Sequence, residues 1–589
     1  MVHDPMHRPN FAVFLGLAWI AVSILLLVQY WAGTVETLLD PDDAMRLVEV
    51  RAFLGGQGWF DLHEARLQPP IGYDTHWSRL IDAGLAALFI LFNQFTNHEL
   101  AERLMRTAWP LLWLLPAMSG AAAIAWRLAG REAALVALLL AVMGLPALTQ
   151  FKPGSIDHHN IQITLAVLAT AATVWSDRLR WAAWAAGTVT GLALAIGFEC
   201  LPYLLLCGAA FVLRYLLSRD GAMALRAYGL SLAAATGAAF LVSVGPAHWT
   251  QTACDAIAVN SALAVIAGGL VLSLAGRFGA ENSPWARCGV IALAAAVAGA
   301  LFAWLDPLCL AGPFARVDPA LKSMWLVYVH EGQPLFTFAR ANPVKATALA
   351  TFPAAALIAV IVLAGDPARR RDFGFLTAGA SVILAVATMV AVVKAHYYAM
   401  WLGMPVVAAV APPLFVRLRL QTMAARVGLG LFLTPAALSI GAVTIAQAAG
   451  PDPLAEGLPA ARYACQLTEN YAALARLPPG LVVADIDFGP FLLALTPHSV
   501  LAAPYHRLSA GIITANRIFA APPDESHRIL ADVHATYLVT CGPQGPLGLG
   551  QAAQAASLWS RLRAGAVPGW LEPVALPEGD VFTVYRIKS

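Results

Sequence analysis

The chain has 589 residues, with 37 Lys and Arg against 35 Asp and Glu; 59% are apolar and only 12% charged. Soluble domains carry roughly twice that share of charge, so a single soluble globule, a disordered chain, a collagen-like repeat and a disulfide scaffold are all excluded. The balanced charge leaves no positive field for phosphates, which argues against a nucleic-acid partner. What remains is a polytopic membrane protein carrying one soluble domain.

A bilayer-crossing helix needs about 20 mostly apolar residues. The first such run is Phe11 to Ala32. It is too long for a signal-peptide core and no clear cleavage site follows it, so it reads as a retained anchor. Further runs lie at about 106–127, 132–150, 160–175, 181–197, 200–217, 226–245, 256–276, 288–307, 344–364, 373–393, 396–416 and 427–447, giving about thirteen spans. Leu80 to Phe95 is shorter and is expected to lie at the interface or re-enter. With the N-terminus inside, every inside loop carries arginine: Arg127 and Arg131, Arg178 and Arg180, Arg219 and Arg226, Arg277 and Arg287, Arg369 to Arg371, and Arg417, Arg419 and Arg426. That is the positive-inside pattern, and counting Leu80–Phe95 as a span would break it.

The long outside loops are then 33–105 and 308–343, with a short one at 151–159. The transmembrane domain is expected over 1–447. The tail over 448–589, richer in Pro and charge, is expected to form an outside α/β domain with strands at Leu481–Val483 and Thr536–Val539 and a helix over Ala460–Leu477.

In so uncharged a chain the acids and histidines of the outside segments are the informative residues. Asp42 and Asp43 follow the first span and suit a helix N-terminus, which does not exclude a metal role for one carboxylate. In Gly154-Ser155-Ile156-Asp157-His158-His159, Asp157 and His159 are two apart; in an extended segment they share a face and make a plausible pair of divalent-metal ligands. Glu331 lies in His330-Glu331-Gly332-Gln333-Pro334, and Asp487 in Asp485-Ile486-Asp487-Phe488-Gly489. Lys394, His396 and Tyr397 mark another outside boundary, where a donor headgroup contact is possible. Glu199 reads as a solvated helix end. Cys200, Cys207, Cys254, Cys288 and Cys309 have no metal-ligand spacing, and a bond between Cys465 and Cys541 is permitted by compartment without being required.

In order and sidedness these motifs resemble the catalytic subunit of oligosaccharyltransferase, a GT-C membrane glycosyltransferase. Asp43 in Asp-Ala-Met-Arg matches that family's first-loop catalytic aspartate, with Asp42 as the competing assignment. The Gly154–His159 segment resembles the second-loop motif, and Val329–Pro334 the fifth-loop motif with Glu331 as its acid. The resemblance implies a GT-C fold of about 13 spans with an extracytoplasmic α/β domain. It implies Asp43, Asp42 and Glu331 as catalytic residues, and Asp43, Asp157 and His159 as ligands of Mn²⁺ or Mg²⁺. The donor would be a polyprenyl-linked sugar, contacted by Lys394, His396 and Tyr397. The family's acceptor motif, Trp-Trp-Asp-Tyr-Gly, is matched only as Asp487-Phe488-Gly489, with both tryptophans absent. The acceptor therefore stays open between a protein asparagine and a hydroxyl of a glycolipid or polysaccharide. A lipid-linked-sugar transporter and a non-catalytic subunit are the readings from other classes. The Ala-rich, Arg-over-Lys composition suggests a GC-rich bacterium, so the expected location is the inner membrane with the site facing the periplasm.

Overall fold

The computed structural model describes residues 10–278, 283–449, 463–542, 556–577 and 579–588. Among them, eight helices are long and apolar enough to cross a membrane, or nine if one bent pair forms a single span. The chain is an integral membrane protein. The helices of the bundle are α1 (Phe11–Tyr30), α2 (Pro41–Leu54), α3 (Arg79–Asn93), α4 (His98–Val142), α5 (His159–Trp175), α6 (Arg180–Ile196), α7 (Leu201–Leu217), α8 (Gly221–Ser243), α9 (Val259–Phe278), α10 (Pro284–Leu305), α11 (Pro343–Ala364), α12 (Phe373–Ala391), α13 (His396–Arg417), α14 (Met423–Phe432) and α15 (Pro435–Ala449).

The expected thirteen spans differ from this for three reasons. Helices α5, α6 and α7 have 17 residues each. At 1.5 Å per residue that is about 26 Å, a little short of the roughly 30 Å hydrocarbon layer. Two expected runs share α4, which is two helices joined by non-helical backbone at Ala129 and Gly130, so they count as one only when the break is ignored. The run at 427–447 becomes α14 and α15, bent by 53°. The segment Leu80–Phe95 forms α3, which is not among the spanning helices.

Burial separates a central set of helices from a peripheral one. In α13 nearly every residue from Tyr398 to Ala411 is buried, and the Trp401 indole donates to the Ala147 carbonyl at 3.1 Å. In α1, by contrast, only Val22, Ser23 and Leu26 are buried, and in α10 only Arg287 and Ala294. Apolar side chains of these outer helices face what lipid would cover.

The bundle has chemically distinct ends. Helix α5 runs from His159 to Trp175, and Asp177 just beyond it pairs with Arg127 at 2.6 Å. Asp372, at the start of α12, binds the same guanidinium at 3.0 Å, while Arg369 donates to the Leu128 carbonyl. This is the arginine-rich end. The acids and histidines gather at the other, one helix length away.

Beyond α15, which ends two residues past the expected boundary at 447, residues 450–462 lie outside the described set. The expected helix over Ala460–Leu477 begins there. From residue 463 the described chain is helical only in short pieces, a 3-10 turn at Thr468–Asn470 and one α-helical turn at Tyr471–Leu474 among them. An α/β fold follows, as expected: β1 (Leu481–Val483), α16 (Gly489–Leu495), β2 (Ser499–Val500), α17 (Ser509–Ala520), β3 (Tyr537–Cys541), β4 (Leu571–Val574) and β5 (Phe582–Ile587). The sheet order is β2-β1-β3-β5-β4. Strand β1 pairs in parallel with β2 and β3, and β5 is antiparallel to β3 and β4. All three residues of β1 are buried, as a central parallel strand requires.

This domain docks on the loop between α2 and α3. Val500 exchanges backbone hydrogen bonds of 2.8 Å with Arg66 and Gln68, so the loop borders the sheet at β2. Arg51 of α2 donates to the Ala494 carbonyl at 2.6 Å, and the Tyr505 hydroxyl to the Pro41 carbonyl at 3.0 Å. The start of α2 is thus held between the bundle and the α/β domain.

Candidate functional site

The site begins where α2 begins. Asp40 is its N-cap, accepting the Asp43 N–H at 2.9 Å, and Pro41 occupies the first helical position, where a missing N–H costs nothing. Leu39, just before, has φ +67°, a left-handed conformation that costs a branched residue free energy. Its side chain packs on Gly154, whose φ is +104° and where a Cβ would lie 2.8 Å from Leu39 Cδ1. Glycine is required at 154 on both counts, and the close approach sets Asp40 beside the 154–160 segment.

Asp43 joins the two segments directly. Its Oδ1 accepts the N–H groups of Ile156 at 2.6 Å and Asp157 at 3.1 Å. Asp157 in turn accepts the His159 N–H at 2.9 Å, starting α5. Asp157, His159 and Asn160 are buried, and Asn160 fastens the turn by donating to the Ser155 carbonyl at 3.0 Å.

Two overlapping groups of ligand atoms result: Asp42, Asp157 and His159, and Asp40, Asp43 and Asp157, the atoms of each group lying within 4.8 Å of one another. Burial, and then the adjacent Asp40 carboxylate, push Asp42 up to about 7. Burial, then Asp40 and Asp157, push Asp43 well above the carboxylate range, and burial followed by Asp157 raises Asp40. Carboxylates crowded so closely, Asp43 and Asp157 buried and Asp40 and Asp42 at the rim, repel one another as anions, and a divalent cation relieves that repulsion. Oxygen donors with one imidazole make a donor set suited to a divalent metal ion.

His159 is oriented from its other side. Nδ1 lies 2.9 Å from Glu199 Oε2, and Nε2 lies 3.4 Å from Asp157 Oδ2. The Tyr398 hydroxyl donates to Glu199 Oε1 at 3.1 Å. A carboxylate on the far ring nitrogen is the usual support of a metal-ligating histidine. Glu199 is therefore no solvated helix end, contrary to the expectation.

Glu331 is brought to the cluster by Lys394, whose ammonium lies 2.8 Å from Oε1. Burial would raise Glu331, but Lys394 and then His159 outweigh this and hold it below its ordinary value. Lys394 also acts on Asp42. His396 is buried with Nδ1 3.0 Å from the Val393 carbonyl and its ring centroid 3.8 Å from that of Tyr397. Tyr397 is half-buried and reaches Thr149 and Gln150, ahead of Gly154.

The expected acceptor residues sit in the packing of the α/β domain. Phe488 is buried against Phe582, and a Cβ at Gly489 would lie 2.2 Å from the Ala502 carbonyl oxygen, so only glycine fits. Asp487 is half-buried, its N–H bonded to Asp485 Oδ1 at 3.1 Å.

Beneath the cluster, α2 is locked to α3. Arg46, fully buried, reaches Glu49 at 2.8 Å and Asp82 at 2.7 Å, and Arg79 reaches Asp82 at 3.1 Å. The Arg46 guanidinium also stacks 4.6 Å from the Trp77 ring centroid. Two disulfides lie in the segments linked to this end, Cys465–Cys541, which the sequence permits, and Cys254–Cys309, which it does not suggest.

Sequence reasoning missed Asp40 and misread Glu199. Three acids in four positions around Pro41 signal the first. Nothing local signals the second, because its partners are 40 and 199 positions away.

No protein-family model matches the sequence, and no curated protein is similar to it by sequence. The structure is similar to that of the archaeal oligosaccharyltransferase AglB from Archaeoglobus fulgidus. Against the complex with an inhibitory peptide and a dolichol-phosphate the TM-score is 0.65 at 15% identity, covering 90% of this chain and 69% of that one. Against the form tethered to an acceptor peptide with the NVT sequon the TM-score is 0.66 at 14% identity, with the same coverage. Against the complex with Zn and sulfate it is 0.56 at 15% identity, covering 90% and 68%. The chain therefore shares the fold of this archaeal oligosaccharyltransferase.

Proposed function

We propose that this chain is a membrane glycosyltransferase that moves a sugar or oligosaccharide from a polyprenyl phosphate or diphosphate to an acceptor on the extracytoplasmic face. The observation that carries the reading is the convergence of Asp40, Asp42, Asp43, Asp157, His159 and Glu331 at one end of the bundle, from three separated loops. The fold supports it, since AglB binds a dolichol-phosphate and an acceptor peptide.

Asp42, Asp157 and His159, with Asp40 and Asp43 behind them, would hold Mg²⁺ or Mn²⁺. Bound there, the ion would neutralise phosphate oxygens as the sugar leaves. The rest of the work falls to side chains of this chain. Lys394 presents a cation beside the cluster for the donor's phosphate and keeps Glu331 ionised. Glu331 and the first-loop carboxylates face the acceptor as hydrogen-bond acceptors, and one of them takes the proton that a hydroxyl acceptor must lose. Glu199 and Tyr398 hold His159 in place. His396 and Tyr397 border the entry of the lipid headgroup.

The sidedness is supported by the two disulfides, which persist in oxidising compartments, and by arginines at the opposite end. In a bacterium this is the inner membrane with the site facing the periplasm. Residues 1–447 would then be the catalytic domain and 448–589 a periplasmic domain.

The acceptor reading divides on one observation. Both tryptophans of the sequon-gripping motif are absent, and Phe488 and Gly489 are occupied in packing. This favours a glycolipid or polysaccharide hydroxyl over a protein asparagine, and leaves Asp487 as the motif's one polar contact.

The test compares glycopeptides, glycolipids and envelope polysaccharide by mass spectrometry in host cells carrying wild-type or Asp157→Ala protein. Loss of one sugar from one class identifies the acceptor. No change in any class refutes the transferase reading and returns the chain to transport or assembly.

A further inference from the structure

A second constellation adjoins Trp77, whose ring centroid lies 6.1 Å from that of His76 and 5.8 Å from that of His158. His76 precedes Trp77 in the loop between α2 and α3, Asp255 lies in the segment before α9, and His506 follows β2 in the α/β domain. One ligand atom from each of these three residues lies within 4.8 Å of the others. His506 Nε2 is 2.6 Å from Asp255 Oδ2, and the His76 and His506 ring centroids are 4.8 Å apart. Among the described residues, His76 Nδ1 is buried with no hydrogen-bond partner. One imidazole in contact with a carboxylate and a second close by, with an orphaned buried nitrogen, are not accounted for by an ion pair alone.

We propose that His76, Asp255 and His506 form a zinc site that ties the first loop, the α9 approach and the α/β domain together. Two imidazoles and a carboxylate are a common zinc donor set, and three protein ligands leave a fourth position for water. Tetrahedral zinc holds such atoms about 3.3 Å apart, so side-chain rotations of about 1 Å complete the site.

The surroundings pre-organise these three residues. Cys254, bonded to Cys309, immediately precedes Asp255. Thr252 donates to Asp306 Oδ2 at 2.7 Å, anchoring the same segment. Arg507 grips both Asp255 oxygens, Nε on Oδ2 at 2.8 Å beside His506 and Nη2 on Oδ1 at 2.7 Å, and supplies a counter-charge. A carboxylate has about four lone-pair sites, so Arg507 and a metal are compatible on one group. Phe314 stands edge-on to the His506 ring at 5.2 Å, restricting its rotation. The site is independent of the transferase reading, since it uses none of the acidic cluster's residues.

The experiment uses the full chain in detergent with Asp157→Ala and His159→Ala present, which removes the other centre. Zinc alone is the probe. After incubation and gel filtration, elemental analysis is expected to find one zinc per chain, and Co²⁺ in its place is expected to show the strong visible absorption of tetrahedral coordination. Adding His76→Gln or His506→Gln is expected to abolish both, with the Cys465–Cys541 bond still intact as a check on folding. The two histidines lie on different parts of the chain, so failure of one variant to fold leaves the other informative. No zinc retained in the starting variant overturns the proposal and leaves an ion-pair network. Zinc retained equally after both histidine changes also overturns it, because the metal then sits elsewhere.

Discussion

His159 and Glu199 face each other across the bundle, with Nδ1 and Oε2 2.9 Å apart. This contact turns the other nitrogen of the ring toward Asp157 and the acidic cluster. Glu199→Gln keeps the size and removes the charge, so Mn²⁺ affinity is expected to fall about 10- to 100-fold while the protein stays folded. Titration of bound Mn²⁺ by electron paramagnetic resonance reads this directly. Unchanged affinity would mean that His159 is not a ligand.

The crowding of carboxylates sets a pH dependence. Asp42 stands at about 7 in the folded protein against an ordinary value of 3.8. A group raised on folding stabilises the protein fully below its unfolded value and loses that contribution as pH rises through the folded one. Metal-free protein is therefore expected to melt at a lower temperature at about pH 8 than at about pH 5, with the change centred between about 4 and 7. Mn²⁺ should reverse the loss at the higher pH, because it replaces the competing proton. A melting temperature equal at both pH values would count against a shared carboxylate site.

Glu331 shifts in the opposite sense. Lys394 helps hold it below its ordinary value, so it stays ionised to lower pH. Lys394→Met is expected to move the acidic limb of the transfer rate toward higher pH, with Glu331→Gln abolishing that limb. The pH profile of the reconstituted reaction distinguishes this from simple loss of donor binding, which would raise KM at every pH.

The buried charges under the site are structural. Asp82 serves both Arg46 and Arg79, and its removal leaves two buried guanidiniums without that partner. Asp82→Ala is expected to cost about 3–5 kcal/mol, read as a large drop in melting temperature in detergent. Its effect should precede any effect on metal binding, since α2 loses its hold on α3.

Gly154 is constrained by φ and by Leu39 together. Gly154→Ala is expected to destabilise by about 1 kcal/mol or more. Because Asp157 and His159 lie a few residues on, metal affinity should fall as well. A compensating Leu39→Ala, which removes the clashing side chain, is expected to restore part of it.

Much of the architecture is written in local patterns. Apolar runs of span length, arginines at alternate ends and the change in composition near residue 448 require only the partition between lipid and water, which acts on each segment by itself. Asp157 and His159 were legible for a similar reason: two ligand types spaced two apart in one short loop form a local signal. Span lengths were less so, because whether α5 to α7 end at 17 residues depends on how neighbouring helices cap and bury them.

The composition of the centre is another matter. Asp43 reads from the sequence as a helix-start acid and a family match, yet its Oδ1 is spent on the N–H groups of Ile156 and Asp157. Glu199 acquires its role from His159 and Tyr398, and Lys394 meets Glu331 across 63 positions. His76, Asp255 and His506 converge from three segments that share no pattern. Hydropathy sorts residues by solvent and acts along the chain, so it can be read in order. Electrostatic pairing acts through space over a few ångströms, and only the folded chain decides which distant charges come within that reach.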